Sequence, residues 1–261
     1  MNIIVCVKQV PNTKEVKTDP VRGTLIREGV PSILNPDDAN ALEAALAIKD
    51  QYAGTHITVL TMGPPQAEIM LRECLAMGAD KAILLSDRAF SGADTWATSN
   101  TLAHAIRKIG AYDMIFTGRQ AIDGDTAQVG PQIAERLGLS QVTYVQEIKL
   151  NGDNLTVLRQ MEEGCEIIEL QIPALLTAVK ELNRPRYMTV GGIIDAYKNE
   201  ISVWSLKDLN ISDKEVGINA SPTQVLKTFT PPPKGKCLML EGPPKEKAKA
   251  LLAGLREKHI I

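Results

Sequence analysis

Short apolar runs alternate with amphipathic stretches from Ile3 to Leu137, and glycine closes most of the amphipathic ones. Ile3 to Val7 reads as a buried strand. Asn35-Pro36-Asp37-Asp38 reads as a helix start, with small polar caps and acids where the helix dipole favours them. Leu42, Ala45, Leu46 and Lys49 then share a face, and Gly54 ends the helix. His56 to Met62 is a β-branched strand, and Gly63-Pro64-Pro65 turns the chain into the next helix. Ala67, Met70, Leu71, Cys74 and Leu75 form its apolar stripe, closed by Gly78. Ala82 to Leu85 is a third strand. Asp87 to Ala93 is a loop, and Asp94 caps a helix carrying Leu102, Ala105, Ile106 and Ile109 before Gly110. Asp113 to Thr117 is a fourth strand. Gly118 to Asp125 is a loop, and Thr126 to Leu137 is a helix with Val129, Ile133 and Leu137 on one face. Such alternation predicts βαβ units with right-handed crossovers on a parallel sheet covered on both faces.

The pattern changes after Gly138. Gln141 to Leu150 and Leu155 to Met161 flank Asn151-Gly152, a hairpin signal, and Glu166 to Gln171 and Ala174 to Val179 continue in strand style. These segments are expected to extend the sheet antiparallel. The polar stretch Pro11 to Pro31 is expected to turn at Arg22-Gly23. From about Ser205 regular pattern is lost until a helix at Lys245 to Lys258, whose stripe is only Ala248, Leu251, Leu252 and Leu255. The expected fold is therefore α/β: a doubly wound, mostly parallel, Rossmann-like sheet with an antiparallel extension and an extended C-terminal arm. Residues 1–204 are expected to form a nucleotide-binding domain. Residues 205–261 are expected to lie as an arm on a partner, having no core of their own.

Composition excludes several classes. Twenty-nine Lys plus Arg against 31 Asp plus Glu give a net charge of −2, without the basic excess of a nucleic-acid binder. Two Trp, five Tyr and three Phe are too few for a base-stacking platform. No apolar run approaches the ~18 residues of a membrane span. Met1 to Lys8 lacks signal-peptide architecture, so a cytoplasmic protein is expected. Four scattered Cys read as a reducing compartment, and the spacing of the three His argues against a His- or Cys-based metal site. There is no GxSxG elbow, GxGxxG or GxxxxGK[ST].

Ligands of an open parallel sheet bind beyond its strand carboxyl ends, which here are Lys8 to Asn12, Met62 to Pro65, Asp87 to Asp94 and Gly118 to Gly130. The last leads into a helix N-terminus, where amides and the dipole favour phosphate. Gly124 permits close approach, and Thr126 and Gln128 offer donors. Asp123 and Asp125 would oppose a phosphate unless turned into capping roles, and an ordinary capped loop accounts for the same residues. Asp94-Thr95-Trp96-Ala97-Thr98 is most simply a capped helix start. Cys6 is more often a core cysteine than a nucleophile.

Several segments, in order along nearly the whole chain, carry a family resemblance. They include Val5-Cys6-Val7-Lys8-Gln9-Val10-Pro11, Asn35-Pro36, Met62-Gly63-Pro64 and Leu75-Ala76-Met77-Gly78-Ala79-Asp80. The stretch Gln120 to Gly130 and Leu182-Asn183-Arg184-Pro185-Arg186-Tyr187 complete the set. Together they resemble the small (beta) subunit of electron-transfer flavoproteins. Asn12 departs from the Asp usual after Val10-Pro11. The resemblance implies a heterodimer with an alpha subunit whose mobile domain carries FAD. It also implies a nucleotide on this chain: AMP in ordinary members, or a second FAD with an NADH site in electron-bifurcating ones. Carried over by motif, the nucleotide contacts are Cys6, Asn35, Asp38, Met62, Ala121, Asp123, Gly124, Asp125, Thr126, Ala127, Gln128 and Val129. Asp87 to Thr98 resembles the segment marking bifurcating members, so FAD is expected over the alternative AMP, with Asp94, Thr95 and Thr98 toward NADH. The implied electron acceptors are ferredoxin or flavodoxin and, through the alpha-subunit FAD, an acyl-CoA dehydrogenase-type flavoenzyme. The redox chemistry then belongs to the flavin, and no catalytic side chain is assigned. On fold alone, a universal-stress or ATP-pyrophosphatase-like module is a third reading, against which the missing P-loop and ATP-pyrophosphatase glycine loop and the partner-seeking tail speak.

Overall fold

The computed structural model describes residues 1–12, 31–226, 235 and 237–261, so the Arg22-Gly23 turn lies outside the described residues. β1 (Asn2–Cys6) explains the run that opens the chain. Its side chains alternate between two apolar layers. Ile3 and Val5 meet Leu42, Leu46 and Leu71, whereas Ile4 and Cys6 meet Leu102, Ile106 and Ile133. A strand covered on both faces needs apolar residues in succession.

β2 (Gln9–Pro11) and β3 (Ser32–Leu34) form a separate antiparallel ribbon. Then follow α1 (Pro36–Gln51), β4 (His56–Met62), α2 (Glu68–Met77), β5 (Lys81–Leu85), α3 (Thr95–Ile109), β6 (Met114–Gly118) and α4 (Val129–Leu137). α1 and α2 supply one layer, α3 and α4 the other, as a doubly wound sheet requires. β7 (Ser140–Asn151), β8 (Asn154–Gln160), β9 (Cys165–Gln171), β10 (Ala174–Ala178), α5 (Val190–Ala196) and β11 (Ile201–Trp204) complete it. Among the described residues one nine-stranded sheet runs β11-β5-β4-β1-β6-β10-β7-β8-β9. It is parallel from β11 through β7, and β8 and β9 are antiparallel.

Three expectations are corrected. β10 is not part of the antiparallel extension. It inserts between β6 and β7, parallel to both. All five of its residues are buried, the signature of a central strand rather than a half-solvated one. α4 starts at Val129, not Thr126, because Asp125 (φ 48°) and Ala127 (φ 52°) adopt left-handed backbone that a right-handed helix excludes. The boundary expected after residue 204 also moves. Residues 1–226 form one compact unit and 227–261 a second. Leu209 and Val216 are buried in the α3–α4 layer, so the segment after Ser205 does reach a core. In the second unit, α6 (Pro244–Glu257) has no buried residue. Among the described residues no helix is long and apolar enough to cross a membrane.

The chain leaves β1 for β4 and β5, then returns to β6 on the other side of β1. The crevice at the carboxyl ends of β1 and β6 is thus the switch point of the sheet, where open α/β sheets bind ligands.

Candidate functional site

Asp38 ties the two strand ends together. Its Oδ2 accepts the Lys8 amide (2.8 Å) after β1, and its Oδ1 accepts the Gly118 amide (2.9 Å) at the end of β6. Burial pushes its carboxyl up to about 7, against the pull of hydrogen bonds from Asn35, Gly118 and Lys8. Gly118 is required by the closeness of this approach: a Cβ there would collide with Asp38 Oδ1 and sit 2.8 Å from the Asp37 carbonyl carbon. Asn35 is fully buried. Its Nδ2 donates to Gln120 O (2.8 Å), its Oδ1 accepts the Ile122 amide (3.1 Å), and its own amide donates to Lys8 O (2.9 Å). The residues that start α1 therefore also hold the loop after β6. Cys6 lies below them, where burial, aided by the charge of Asp38, pushes its thiol up to about 12. It stays protonated at neutral pH and acts as a core cysteine. Met62, half-buried at the end of β4, packs in the same layer.

The loop above this floor turns outward. Gly124 and Asp125 amides both donate to Ala121 O (3.2 and 2.9 Å). The two carboxylates that would repel an anion are taken by the protein. Asp123 pairs with Lys8 (2.6 Å) and its side chain is only 6% exposed, while Asp125 Oδ1 accepts from Gln120 Nε2 (2.7 Å). Gly124, Thr126 and Gln128 are exposed, Ala127 and Val129 are half-buried, and among the described residues nothing lies within 4 Å of where a Gly124 Cβ would stand. The Gln128 side chain, at the N-cap position, makes no cap bond to the first turn of α4. What faces outward is a set of hydrogen-bond donors at a helix start, which suits a phosphate ester.

The start of α3 lies beside this loop. Thr95 Oγ1 donates to Gln128 Oε1 (2.8 Å), and Gln132 Nε2 approaches Thr95 Oγ1 at 3.4 Å. Asp94 is committed within the protein: Oδ1 caps the Ala97 amide (3.0 Å), and Oδ2 accepts the Thr223 amide (3.1 Å) and hydroxyl (2.8 Å). Thr98 is half-buried one turn further on. The structure thus gathers Asn35, Asp38, Cys6 and residues 120–128 at the switch point, with Thr95 alongside. Sequence reasoning missed Lys8, Gln120 and Thr223 as participants. Lys8 follows directly on a buried strand of an open sheet, which was a usable signal. Thr223 carries no local signal.

The electron transfer flavoprotein domain family matches residues 22–209. The caffeyl-CoA reductase-Etf complex subunit CarD of Acetobacterium woodii is 63% identical, over the full length of both chains. The electron transfer flavoprotein subunit beta of Clostridium acetobutylicum is 56% identical, again over both full lengths. The acryloyl-CoA reductase electron transfer subunit gamma of Anaerotignum propionicum is 50% identical with the same coverage. With a family match over most of its length and relatives aligned end to end, this chain belongs to the electron transfer flavoprotein family, on its beta-subunit side.

Proposed function

We propose that the chain binds FAD at the ends of β1 and β6 and is the NADH-oxidising beta subunit of an electron-bifurcating, heterodimeric flavoprotein. One electron goes to ferredoxin or flavodoxin. The other goes, through the FAD of the alpha subunit, to an acyl-CoA dehydrogenase-type flavoenzyme. The observation that carries the reading is the outward-facing start of α4 at residues 126–129, with Asp123 and Asp125 turned to protein partners and Thr95 bonded to Gln128. When bound, the flavin supplies the hydride and one-electron chemistry. This chain's residues hold it: amides at 126–129 and the Thr126 hydroxyl toward the diphosphate, Asn35 and Asp38 as the fixed floor. The segment Asp87 to Thr98 favours FAD over AMP. Two relatives are named for reductases of CoA thioesters, which supports the class of the final acceptor. Mass spectrometry of nucleotide released from the purified alpha–beta complex tests the reading. Two FAD per heterodimer and bleaching by NADH are expected. One FAD with one AMP, and no bleaching, would establish instead an AMP-holding, non-bifurcating subunit.

The dehydrogenase has a rigid platform available. Arg186 makes paired bonds from Nε and Nη2 to Glu43 (both 2.9 Å), and Nη2 also reaches Asp50 (2.7 Å). Asn183 and Asn40 exchange side-chain bonds to each other's carbonyls (2.9 Å each). Beyond this anchor Tyr187, Val190, Ile194 and Tyr197 remain exposed. Aromatic and aliphatic side chains on a fixed base are what interface hot spots use. Val190→Glu is expected to slow electron transfer to the dehydrogenase about tenfold or more, with flavin content unchanged. Transfer at the original rate would remove the docking assignment. The exposed stripe of α6 is assigned to the alpha subunit.

A further inference from the structure

The loop 87–94 that leads into α3 is covered by a segment more than 120 residues away in sequence, and the fit is specific. Gly217 (φ 57°) lies so close that a Cβ would collide with Ala89 O and stand 3.0 Å from Ser91 O. The Ile218 amide donates to Ser91 O (3.0 Å), and the Ile218 side chain covers Gly92. Ser221 Oγ accepts the Asp94 amide (2.9 Å) while donating to Gly217 O (2.8 Å). Thr223 then closes on Asp94 Oδ2 through both its amide and its hydroxyl, while Asp94 Oδ1 caps α3. The next residue, Thr95, bonds Gln128 in the outward-facing loop.

From this chain of contacts we infer that Ser221 and Thr223 are positioning residues for the nucleotide site. They fix Asp94, Asp94 fixes the first turn of α3, and that turn sets Thr95 against Gln128. The inference rests on the reading that residues 120–128 hold a nucleotide, and it does not depend on whether that nucleotide is FAD or AMP. Coupling of this kind is reciprocal. Nucleotide that orders the Thr95–Gln128 contact must also tighten the grip of Asp94 on Thr223, at the root of the C-terminal tail. Order in residues 221–226 and occupancy of the site therefore rise together. Among the described residues neither Ser221 nor Thr223 hydrogen-bonds to the loop itself, so the effect passes through Asp94.

The test uses the intact alpha–beta complex stripped of its beta-subunit nucleotide, with FAD and AMP as separate probes. Thr223→Val keeps the shape but removes the hydroxyl bond, and Thr223 is exposed, so the fold survives. Its affinity for whichever probe the original complex binds is expected to fall roughly fivefold or more. Thr223→Ser should restore it. Hydrogen exchange supplies the reciprocal reading: amides of residues 221–226 should slow on loading in the original complex and respond less in Thr223→Val. Equal affinity in Thr223→Val, or exchange at 221–226 indifferent to loading, overturns the inference while leaving the site intact. If the original complex binds neither probe, the site reading itself fails and the inference falls with it.

Discussion

Gly118→Ala is expected to destabilise the complex by about 3 kcal/mol, combining an overpacking cost with loss of an amide-to-carboxylate hydrogen bond. The added Cβ has nowhere to go: Asp38 Oδ1 and the Asp37 backbone occupy its place. Asp38 is itself held by the Lys8 amide, so it cannot withdraw without breaking the bond to the end of β1. The melting temperature should drop by roughly 6–12 °C. A pH series adds a second signature. Asp38 is pushed from an ordinary 3.8 up to about 7 by burial, so between those values the folded chain holds a proton that the unfolded chain has released. Its contribution to stability therefore falls as pH rises from about 4 to about 7. Losing the Gly118 amide removes one bond to the charged form and raises the carboxyl further, so in Gly118→Ala the decline should continue above pH 7. An unchanged melt would show that Asp38 does not bridge the strand ends as described.

Gly124→Val is expected to do the opposite: leave the melt of the nucleotide-free complex unchanged and weaken nucleotide binding about ten- to a hundredfold, the equivalent of ~1.4–2.8 kcal/mol. The two glycines are six positions apart, yet among the described residues nothing lies within 4 Å of a Gly124 Cβ and its φ does not demand glycine. Among the described residues a side chain there meets only open space. What it can meet is a ligand seated on the amides that begin α4. The FAD of the alpha subunit should be retained, which makes the nucleotide count per heterodimer the direct measurement. Full retention of beta-subunit nucleotide in Gly124→Val would place the diphosphate elsewhere. The pair of variants separates a glycine needed by the fold from one needed by the ligand.

Parts of the candidate site's local structure were legible in the sequence, for reasons that can be located. Asn35-Pro36-Asp37-Asp38 starts α1, and Asp94 caps α3 through the Ala97 amide. The loop after β6 was found because a strand running into a helix start in an open sheet marks its binding end. The objection that Asp123 and Asp125 would repel a phosphate could not be answered locally. Lys8 answers it for Asp123 across a separation of 115 residues, and Gln120 answers it for Asp125. Asp38 looked like a residue for the helix dipole and turned out to join β1 to β6, a role that exists only once two distant strands lie side by side.

By itself the sequence determined the alternation of the main strands and helices from β1 to α4, most of their starts, and the Asn151-Gly152 hairpin; α5 and β11 were not read from it. Periodicity, caps and turn residues act over a few neighbours, and a chain carries them wherever it folds. Only the tertiary structure decided that β10 lies between β6 and β7, that β11 pairs with β5, and that Thr223 meets Asp94. Strand partners and long-range clasps are chosen by which buried faces and unpaired polar groups find each other after collapse. The buried run Ala174 to Ala178 shows that a strand is central, but not which neighbours it will have.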